Sequence, residues 1–333
     1  MARVDVENYE KATSEEKDYE EAIADINKAL ELNPGNAFYY TYKGQIYALK
    51  EDYAQAIEYF NIAIEAEPDV ATAYAQRGFV YAKQGNKQKF TEDLEKALRL
   101  QPDNGELYRI RGNGYFALKE KQKGIDDYNK AIRLYSNLEA SAHQYYNLRG
   151  YQLFLLEDYE AALADYGKAI ELTPSCALYY KNRGDVYFQM GEKQKGINDY
   201  DRAISLDPKS AHKYYNWRGN QFYGQEDYEA ALADYNKAIE LKPDDAYSYG
   251  FRGLIYLKQW QKYKEAIADF TEAIRLEPED ASFYRALAYS YRENGEKVKA
   301  VENFQKAAYL YQKLEKTEEY QAVMEELEKI QEQ

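Results

Sequence analysis

The chain has 333 residues, 31% of them charged, with only 7 Pro and 18 Gly but 38 Tyr, a composition typical of helical proteins. Its formal net charge of −14 disfavours nucleic acids and anionic membranes as partners, and the single cysteine, Cys176, excludes an internal disulfide framework. No apolar run is long enough to span a membrane, and the N-terminal "MARVDVENYEK" lacks the apolar core of a signal peptide, so we expect a soluble, cytoplasmic protein.

All seven prolines of the chain lie in copies of one short segment. The first copy is "NKALELNPGN" from residue 27 and the last is "TEAIRLEPED" from residue 271. The prolines follow each other by 34 or 35 residues, except for one step of 72, and stand at positions 34, 68, 102, 174, 208, 243 and 278. Because proline cannot continue a helix and disfavours helical backbone in the residue before it, each copy is predicted to end a helix.

A second marker keeps the same period between the prolines. A small residue recurs, with a tyrosine four residues before it and an apolar residue three after it, at Gly44, Gly78, Gly112, Gly150, Gly184, Gly219, Gly253 and Ala288. These spacings predict a helix, which we call helix A, and a second run such as Ala56, Phe60 and Ala63 predicts helix B. One hairpin of two helices cannot bury both of its faces, so neighbouring repeats are predicted to stack.

This pattern resembles the tetratricopeptide repeat. The small, aromatic and proline places of that family are filled over residues 37–312 by eight repeats, which start near residues 37, 71, 105, 143, 177, 212, 246 and 281. The resemblance implies an all-α, right-handed superhelical solenoid of tandem helix-turn-helix repeats. The sequence departs from the family pattern at Phe90, Gly124, Gly196 and Ser136, and through extra residues near 139–142 and near Trp260.

The two ends of the repeat array are predicted to differ from its middle. Residues 1–36 are expected to form a degenerate repeat or cap, with Ala22, Ala29 and Pro34 in place. Residues 313–333 are expected to form a C-terminal capping helix, because their apolar side chains follow one helix face, at Tyr320, Val323, Met324, Leu327 and Ile330. A partner-binding or dimerising helix is the alternative.

Six repeats carry an arginine just before the packing glycine, in a row that could be mistaken for a phosphate-binding surface. The same six repeats carry an aspartate sixteen or seventeen residues later, giving Arg77 with Asp93, Arg111 with Asp127, Arg149 with Asp165, Arg183 with Asp199, Arg218 with Asp234 and Arg252 with Asp269. In an antiparallel hairpin these places lie at the same height, so we predict ion pairs within each repeat rather than nucleic-acid contacts.

Residues with catalytic or metal-binding chemistry are scarce and do not converge. His143 and His212 both open a helix A at the same place in the repeat, and Cys176 follows a proline turn with no His or Asp in phase with it. The chain has no zinc-ligand spacing. We therefore expect no enzyme activity, no cofactor and no metal.

In the resembled family, helix A lines the concave face, and its second, fifth, sixth and ninth residues point inward. Carried onto this chain, these places nominate a groove formed by Arg109, Asn113, Asn147, Lys181, Asn182, Lys213, Asn216, Trp217, Asn220 and Phe251. Amides offer donors and acceptors together, which suits the backbone of an extended peptide. An ordinary polar helix surface is the alternative interpretation.

The predicted function is a monomeric, non-enzymatic scaffold that binds a protein or peptide segment in this groove. The alternative is an assembly or regulatory subunit that contacts its partner through the convex face or an end of the solenoid. The family's two-carboxylate clamp for chaperone tails is not predicted, because Asp185 and Trp217 stand where that clamp needs asparagine.

Overall fold

The computed structural model describes residues 19–135, 142–314 and 316–331, and all regular secondary structure in these ranges is helical. The all-α fold class is therefore confirmed. The chain divides into two compact units, an N-terminal unit that ends at Glu192 and a C-terminal unit that begins at Lys193. The predictions for residues 1–18, Ser136, the insertion at 139–141 and residues 332–333 lie outside the described residues.

The N-terminal unit alternates helices B and A from its first described residue. In chain order its helices are α1 (19–32), α2 (Ala37–Leu49), α3 (Tyr53–Ala66), α4 (Ala71–Lys83), α5 (Lys87–Leu100), α6 (Gly105–Ala117), α7 (Lys121–Tyr135), α8 (Ala142–Leu155), α9 (Tyr159–Leu172) and α10 (Ala177–Gln189). Even-numbered helices are helices A of the repeats.

The C-terminal unit continues the same alternation. Its helices are α11 (Lys193–Leu206), α12 (Ala211–Gly224), α13 (Tyr228–Leu241), α14 (Ala246–Lys258), α15 (Tyr263–Leu276), α16 (Ala281–Glu293), α17 (Lys297–Lys313) and α18 (Thr317–Gln331). A short 3₁₀ helix, Pro208–Ser210, lies before α12. The even-numbered helices from α12 to α16 are again helices A.

Each of the seven prolines lies between a helix B and the next helix A, where the sequence predicted the end of a helix. In four of these turns the tyrosine hydroxyl of the following helix A donates to the proline carbonyl, at 3.1 Å from Tyr40 to Pro34, 3.3 Å from Tyr74 to Pro68, 3.0 Å from Tyr108 to Pro102 and 3.2 Å from Tyr180 to Pro174. This hydrogen bond satisfies a carbonyl that the helix cannot use and fixes the corner between repeats.

The turn from helix A to helix B has its own signature. One residue with positive φ occurs in this turn of every repeat, at Glu51, Gly85, Lys119, Glu157, Gly191, Glu226, Gln261 and Gly295. Glycine adopts this left-handed conformation without cost, whereas a residue with a Cβ loses about 1 kcal/mol. Five of the eight turns accept that cost, so the hairpin geometry is imposed by packing between the helices.

The recurring glycine of helix A allows helix B to approach closely. A Cβ at Gly219 would lie 2.6 Å from Cε1 of Tyr235, and a Cβ at Gly44 would lie 2.7 Å from Cε1 of Phe60. Both aromatic rings are buried in the contact between helices A and B. Contacts this short are not compatible with a side chain, so any larger residue must displace the ring.

The arginine row forms ion pairs inside the repeats. Nε and a terminal nitrogen of each arginine donate to the two carboxylate oxygens of its aspartate at 2.5 to 2.8 Å in Arg77–Asp93, Arg111–Asp127, Arg149–Asp165, Arg218–Asp234 and Arg252–Asp269. The prediction is confirmed for these five repeats. Arg183 and Asp199 belong to different units, and their pairing stays a prediction.

Four of these arginines also connect successive repeats. Their remaining terminal nitrogen donates to an oxygen on the preceding helix B, at 2.6 Å from Arg77 to Asn61, 2.5 Å from Arg149 to Asn129, 2.5 Å from Arg218 to Asp201 and 2.8 Å from Arg252 to Asn236. The first repeat has Lys43 in this place, and Lys43 donates to Asn27 of α1 at 2.7 Å. The arginine row thus links each of these helices A both to its own helix B and to the helix B of the preceding repeat.

The last helix, α18, covers the end of the final repeat. Its residues Val323, Leu327 and Ile330 are buried in one cluster with Phe304 and Leu310 of α17. Tyr320 and Met324 pack against the same cluster. An ion pair between Arg292 of α16 and Glu326 of α18 lies beside it, at 2.5 Å. The apolar stripe of α18 is therefore used within the chain.

Candidate functional site

Helices A of neighbouring repeats lie beside each other within each unit. Neighbouring helices A contact each other, α2 with α4, α4 with α6, α6 with α8 and α8 with α10 in the N-terminal unit, and α14 with α16 in the C-terminal unit. Helices B pack mainly against helices A. We call the residues at the second, fifth, sixth and ninth places of the helices A the inner strip of each unit.

Two charged groups predicted for the groove are paired within their own helix. Arg109 donates from Nε to Glu106 at 2.8 Å and makes a second hydrogen bond to the other carboxylate oxygen. Nζ of Lys181 lies 2.8 Å from Asp185. The inner strip of the N-terminal unit therefore carries these two cations with their charges compensated.

Asn147 and Asn182 lie side by side on α8 and α10. Nδ2 of Asn182 donates to Oδ1 of Asn147 at 2.8 Å. Each amide is half-buried, and this hydrogen bond uses one donor of Asn182 and one lone pair of Asn147. The Asn147 nitrogen and the Asn182 oxygen form no hydrogen bond with a described residue.

Asn113 and Asn220 are held from behind by tyrosines of helix B. The hydroxyl of Tyr128 donates to Oδ1 of Asn113 at 2.6 Å, and the hydroxyl of Tyr235 donates to Oδ1 of Asn220 at 2.8 Å. Burial raises the pKa of the Tyr128 hydroxyl, which keeps it protonated as a donor. In both pairs the tyrosine fixes the carbonyl end of the amide inward and leaves its Nδ2 on the inner strip.

Two of the predicted groove residues are instead part of the core. Asn216 is 2% exposed, and its Nδ2 donates to Asp245 at 2.8 Å and to Ser248 at 2.9 Å, which ties α12 to α14. Phe251 is also 2% exposed, because its ring stacks on Tyr235 with centroids 5.4 Å apart. Neither side chain is available to a ligand, so we remove Asn216 and Phe251 from the candidate groove.

Lys213 and Trp217 on α12 remain on the surface of the C-terminal unit. Lys213 is exposed, and Trp217 is half-buried with its ring edge against Tyr214 at 5.3 Å between centroids. Together with Asn220 they give this strip a cation, an aromatic surface and an amide donor. A strip with these groups can contact an apolar side chain, a carboxylate and a peptide carbonyl.

Sequence reasoning missed an aromatic pair at the start of the inner strip. Phe38 and Tyr42 of α2 are 56% and 45% exposed, and their rings meet edge to face at 4.5 Å between centroids. They occupy the second and sixth places of the first repeat, so the rule that gave the other residues also identifies them. Tyr151 and Leu178 are exposed at strip places of α8 and α10.

The tyrosines behind the amides were also missed, although a signal was present. Repeats three to six carry a buried tyrosine in helix B where the other repeats carry Phe60, Leu94, Phe270 and Phe304. The ninth place of helix A in those four repeats is Asn113, Tyr151, Asp185 and Asn220. A hydroxyl is thus added to the core where the strip residue in front of it carries a polar group.

The histidines make no convergent site. Nδ1 of His143 lies 2.5 Å from the Tyr179 hydroxyl, and Nε2 of His212 is buried without a hydrogen-bond partner among the described residues. Within the described ranges, no three His, Cys, Asp or Glu side chains form a group that could hold a metal ion. No described helix has both the length and the apolarity needed to cross a membrane.

Models of repeat families match most of the chain. Models described as tetratricopeptide repeat match residues 11–36, 26–58, 43–113, 177–210 and 260–315, and a model described as TPR repeat matches residues 150–191 and 219–259. No curated protein matches the sequence.

Comparison with solved structures finds similar chains at low sequence identity. The crystal structure of yeast Tom70 is 16% identical, with a TM-score of 0.50, over 99% of this chain and 96% of that chain. A crystal structure of MamA protein is 22% identical, with a TM-score of 0.42, over 52% of this chain and 94% of that chain. The crystal structure of the APC/C hetero-tetramer Cut9–Hcn1 is 19% identical, with a TM-score of 0.46, over 82% of this chain and 52% of that chain.

Proposed function

Because this chain belongs to the tetratricopeptide repeat family, whose repeats mediate protein–protein interactions, we propose that it is a non-enzymatic scaffold that binds an extended peptide segment along its helices A. The partner segment lies on the inner strip of a unit and is recognised mainly through its backbone. The candidate contacts in the N-terminal unit are Phe38, Tyr42, Arg109, Asn113, Asn147, Lys181 and Asn182, and those in the C-terminal unit are Lys213, Trp217 and Asn220.

The observation that carries this proposal is the orientation of the strip amides. Asn113 and Asn220 each accept a tyrosine hydroxyl on the carbonyl oxygen, and no described residue accepts from their Nδ2. Neither nitrogen is buried without a partner, so both are open to solvent, and a peptide carbonyl can accept from either of them. Because the amides are already oriented, binding does not have to order them.

The exposed aromatic side chains provide the second part of the recognition. Phe38 and Tyr42 on α2 and Trp217 on α12 offer aromatic surface on strips that also present amides and charged groups. Aromatic anchors carry much of the free energy in peptide interfaces, whereas each backbone hydrogen bond contributes about 0.5–1.5 kcal/mol. A mixed backbone and apolar mode of binding is therefore expected.

A peptide library selected on the folded protein tests this proposal. The affinity of selected peptides is measured for the wild type, for the Asn182→Ala, Trp217→Ala double variant and for an outer control, Glu160→Ala with Glu229→Ala. The control changes two exposed residues of helices B, one in each unit. We expect the inner variant to bind at least about tenfold more weakly and the control to bind like the wild type.

Thermal unfolding measured in parallel shows whether a loss of affinity comes from a lost contact or from a variant that does not fold. The inner variant should unfold close to the wild-type temperature, because both side chains lie on the strip and not between helices A and B. Unchanged affinity in a folded inner variant would reject binding along helices A. Weaker binding by the outer control alone would favour contact through the convex face.

The second candidate is an assembly or regulatory subunit that uses its outer surface. Val298 and Tyr309 of α17 are 72% and 60% exposed, which gives the last repeat two apolar side chains away from the inner strip. If Val298→Ser with Tyr309→Ser weakens capture of the selected peptides while the inner variant does not, this function replaces the first.

A further inference from the structure

Arg285 on the inner strip of the C-terminal unit has no acidic partner. It stands at the fifth place of α16, is half-buried, and packs its guanidinium over the Tyr311 ring at 5.6 Å. No described residue forms an ion pair or hydrogen bond with it. By contrast, Arg218 bonds to Asp234 and Asp201, and Arg252 bonds to Asp269 and Asn236.

The strip places of the C-terminal unit carry no carboxylate of their own. No Asp or Glu occurs at the second, fifth, sixth or ninth place of α12, α14 or α16, whereas Lys213 and Arg285 occupy two of these places. In the N-terminal unit the strip cations Arg109 and Lys181 each have a carboxylate one turn away. The strip places of the C-terminal unit therefore carry two cations and no carboxylate, in a chain of net charge −14. Asp280 and Glu319 lie near Tyr311 and Glu326 lies near Tyr289, but none of the three forms an ion pair with Arg285.

On the basis of the proposed function, we propose that the inner strip of the C-terminal unit selects an acidic peptide segment, with Arg285 as the main carboxylate anchor and Lys213 as the second. Stacking on Tyr311 removes water from one face of the guanidinium but leaves its N–H groups to a ligand. A guanidinium offers two parallel donors that match both oxygens of a carboxylate, so a Glu or Asp side chain fits it better than a neutral amide.

The same features argue for a peptide and against a nucleic acid. A duplex carries one charge for about every 1.7 Å of its axis, and proteins meet that density with many cations. This strip has one cation on α12 and one on α16, with Tyr247 and Leu254 on α14 between them in sequence. Sparse cations separated by apolar residues suit separate acidic side chains on a peptide that also carries apolar ones.

Asp280 is the internal group that could compete with a ligand for Arg285. It caps α16, is 3% exposed, and accepts from the Ser282 backbone nitrogen at 2.9 Å, while its Oδ2 has no partner among the described residues. If Arg285 turned to this oxygen, no cation would remain at this place of the strip. The preference of the protein for acidic over neutral peptides therefore has to be measured directly.

The probes are three synthetic peptides of equal length that repeat Glu-Leu-Ser, Gln-Leu-Ser or Lys-Leu-Ser, with binding followed by fluorescence anisotropy. We expect the wild type to bind the Glu peptide at least about tenfold more tightly than the Gln peptide, and the Lys peptide most weakly. Arg285→Gln should remove most of the Glu preference, Arg285→Lys should keep part of it, and Lys213→Gln should reduce it.

Arg275→Gln is the matched control. It removes the same charge from an exposed arginine of α15 that pairs with Glu272, away from the strip, and should leave the Glu preference unchanged. Thermal unfolding verifies that each variant is folded. Equal binding of Glu and Gln peptides, both weakened by Trp217→Ala, would overturn the acidic preference and leave peptide binding intact.

Two further results would overturn the inference. The first is no binding of the Glu peptide to the wild type, in which case the library selection still decides whether the inner strip binds other peptides. The second is tighter binding of a single-stranded oligonucleotide that Arg285→Gln abolishes, since phosphate would then be the preferred anion.

Discussion

The ion pair between Arg218 and Asp234 gives the sharpest test of how the repeats are held together. Two hydrogen bonds of 2.8 Å join the two side chains, which are 11% and 7% exposed. Arg218→Ala would leave a buried carboxylate without its partner, and Asp234→Ala would leave a buried guanidinium that retains only Asp201 at 2.5 Å. The double variant, Arg218→Ala with Asp234→Ala, leaves no buried charge without a partner.

The expected magnitudes follow from this burial. Breaking a fully buried pair on one side costs about 3–5 kcal/mol, and the slight exposure of Arg218 places each single substitution near the lower end, about 3 kcal/mol. The double substitution should also cost about 3–4 kcal/mol, because neither charge is stranded. The coupling free energy is then about 2–3 kcal/mol.

Urea unfolding of the wild type, both single variants and the double variant measures this coupling, provided that the slope of the unfolding free energy with urea is unchanged. Lys237 and Glu240 on α13 provide the control cycle, since their 2.7 Å pair is 41% and 67% exposed and should couple by no more than about 0.5 kcal/mol. Equal coupling free energies in the two cycles would refute the claim that the buried arginine–aspartate pairs stabilise the contacts between helices.

Four further substitutions test the packing, the amide orientation and the pH response. Gly219→Ala should lower the free energy of unfolding in urea by about 1–2 kcal/mol, because the new Cβ would lie 2.6 Å from Tyr235. Gly224→Ala is the control. Its Cβ meets nothing within 4 Å, so it should raise the free energy of unfolding by about 0.5–1 kcal/mol. Tyr235→Phe should preserve the helical circular dichroism spectrum, cost about 1 kcal/mol, and weaken peptide binding through Asn220. Burial lowers the pKa of His212, so its contribution to stability is complete above about pH 6.5 and falls as the pH drops; His212→Gln should make the urea midpoint less sensitive to acid.

The fold was predictable because the repeats impose a phase on every position. The prolines end helices, the recurring glycines meet aromatic rings, and the arginines and aspartates lie at equal height in each hairpin. These three signals depend on position within the repeat, which the sequence shows directly. Five of the six predicted ion pairs are present in the structure for this reason.

The inner strip was less predictable because a place in the repeat does not determine burial. Asn216 and Phe251 occupy strip places, yet Ser248 satisfies one amide nitrogen and Tyr235 covers one ring, and both partners lie on other helices. Such contacts depend on which residues meet across helices, and the repeat rule treats each helix A alone. The unpaired state of Arg285 depends on its neighbours in the same way.

The most direct measurement of the central claim is a crystal structure of the protein with a peptide selected from the library. We predict an extended peptide along the helices A, with backbone carbonyls within about 3 Å of Nδ2 of Asn113 or Asn220 and the hydroxyls of Tyr128 and Tyr235 still bonded behind them. A peptide bound to helices B or at the α18 end, with both asparagines free of contact, would contradict the account.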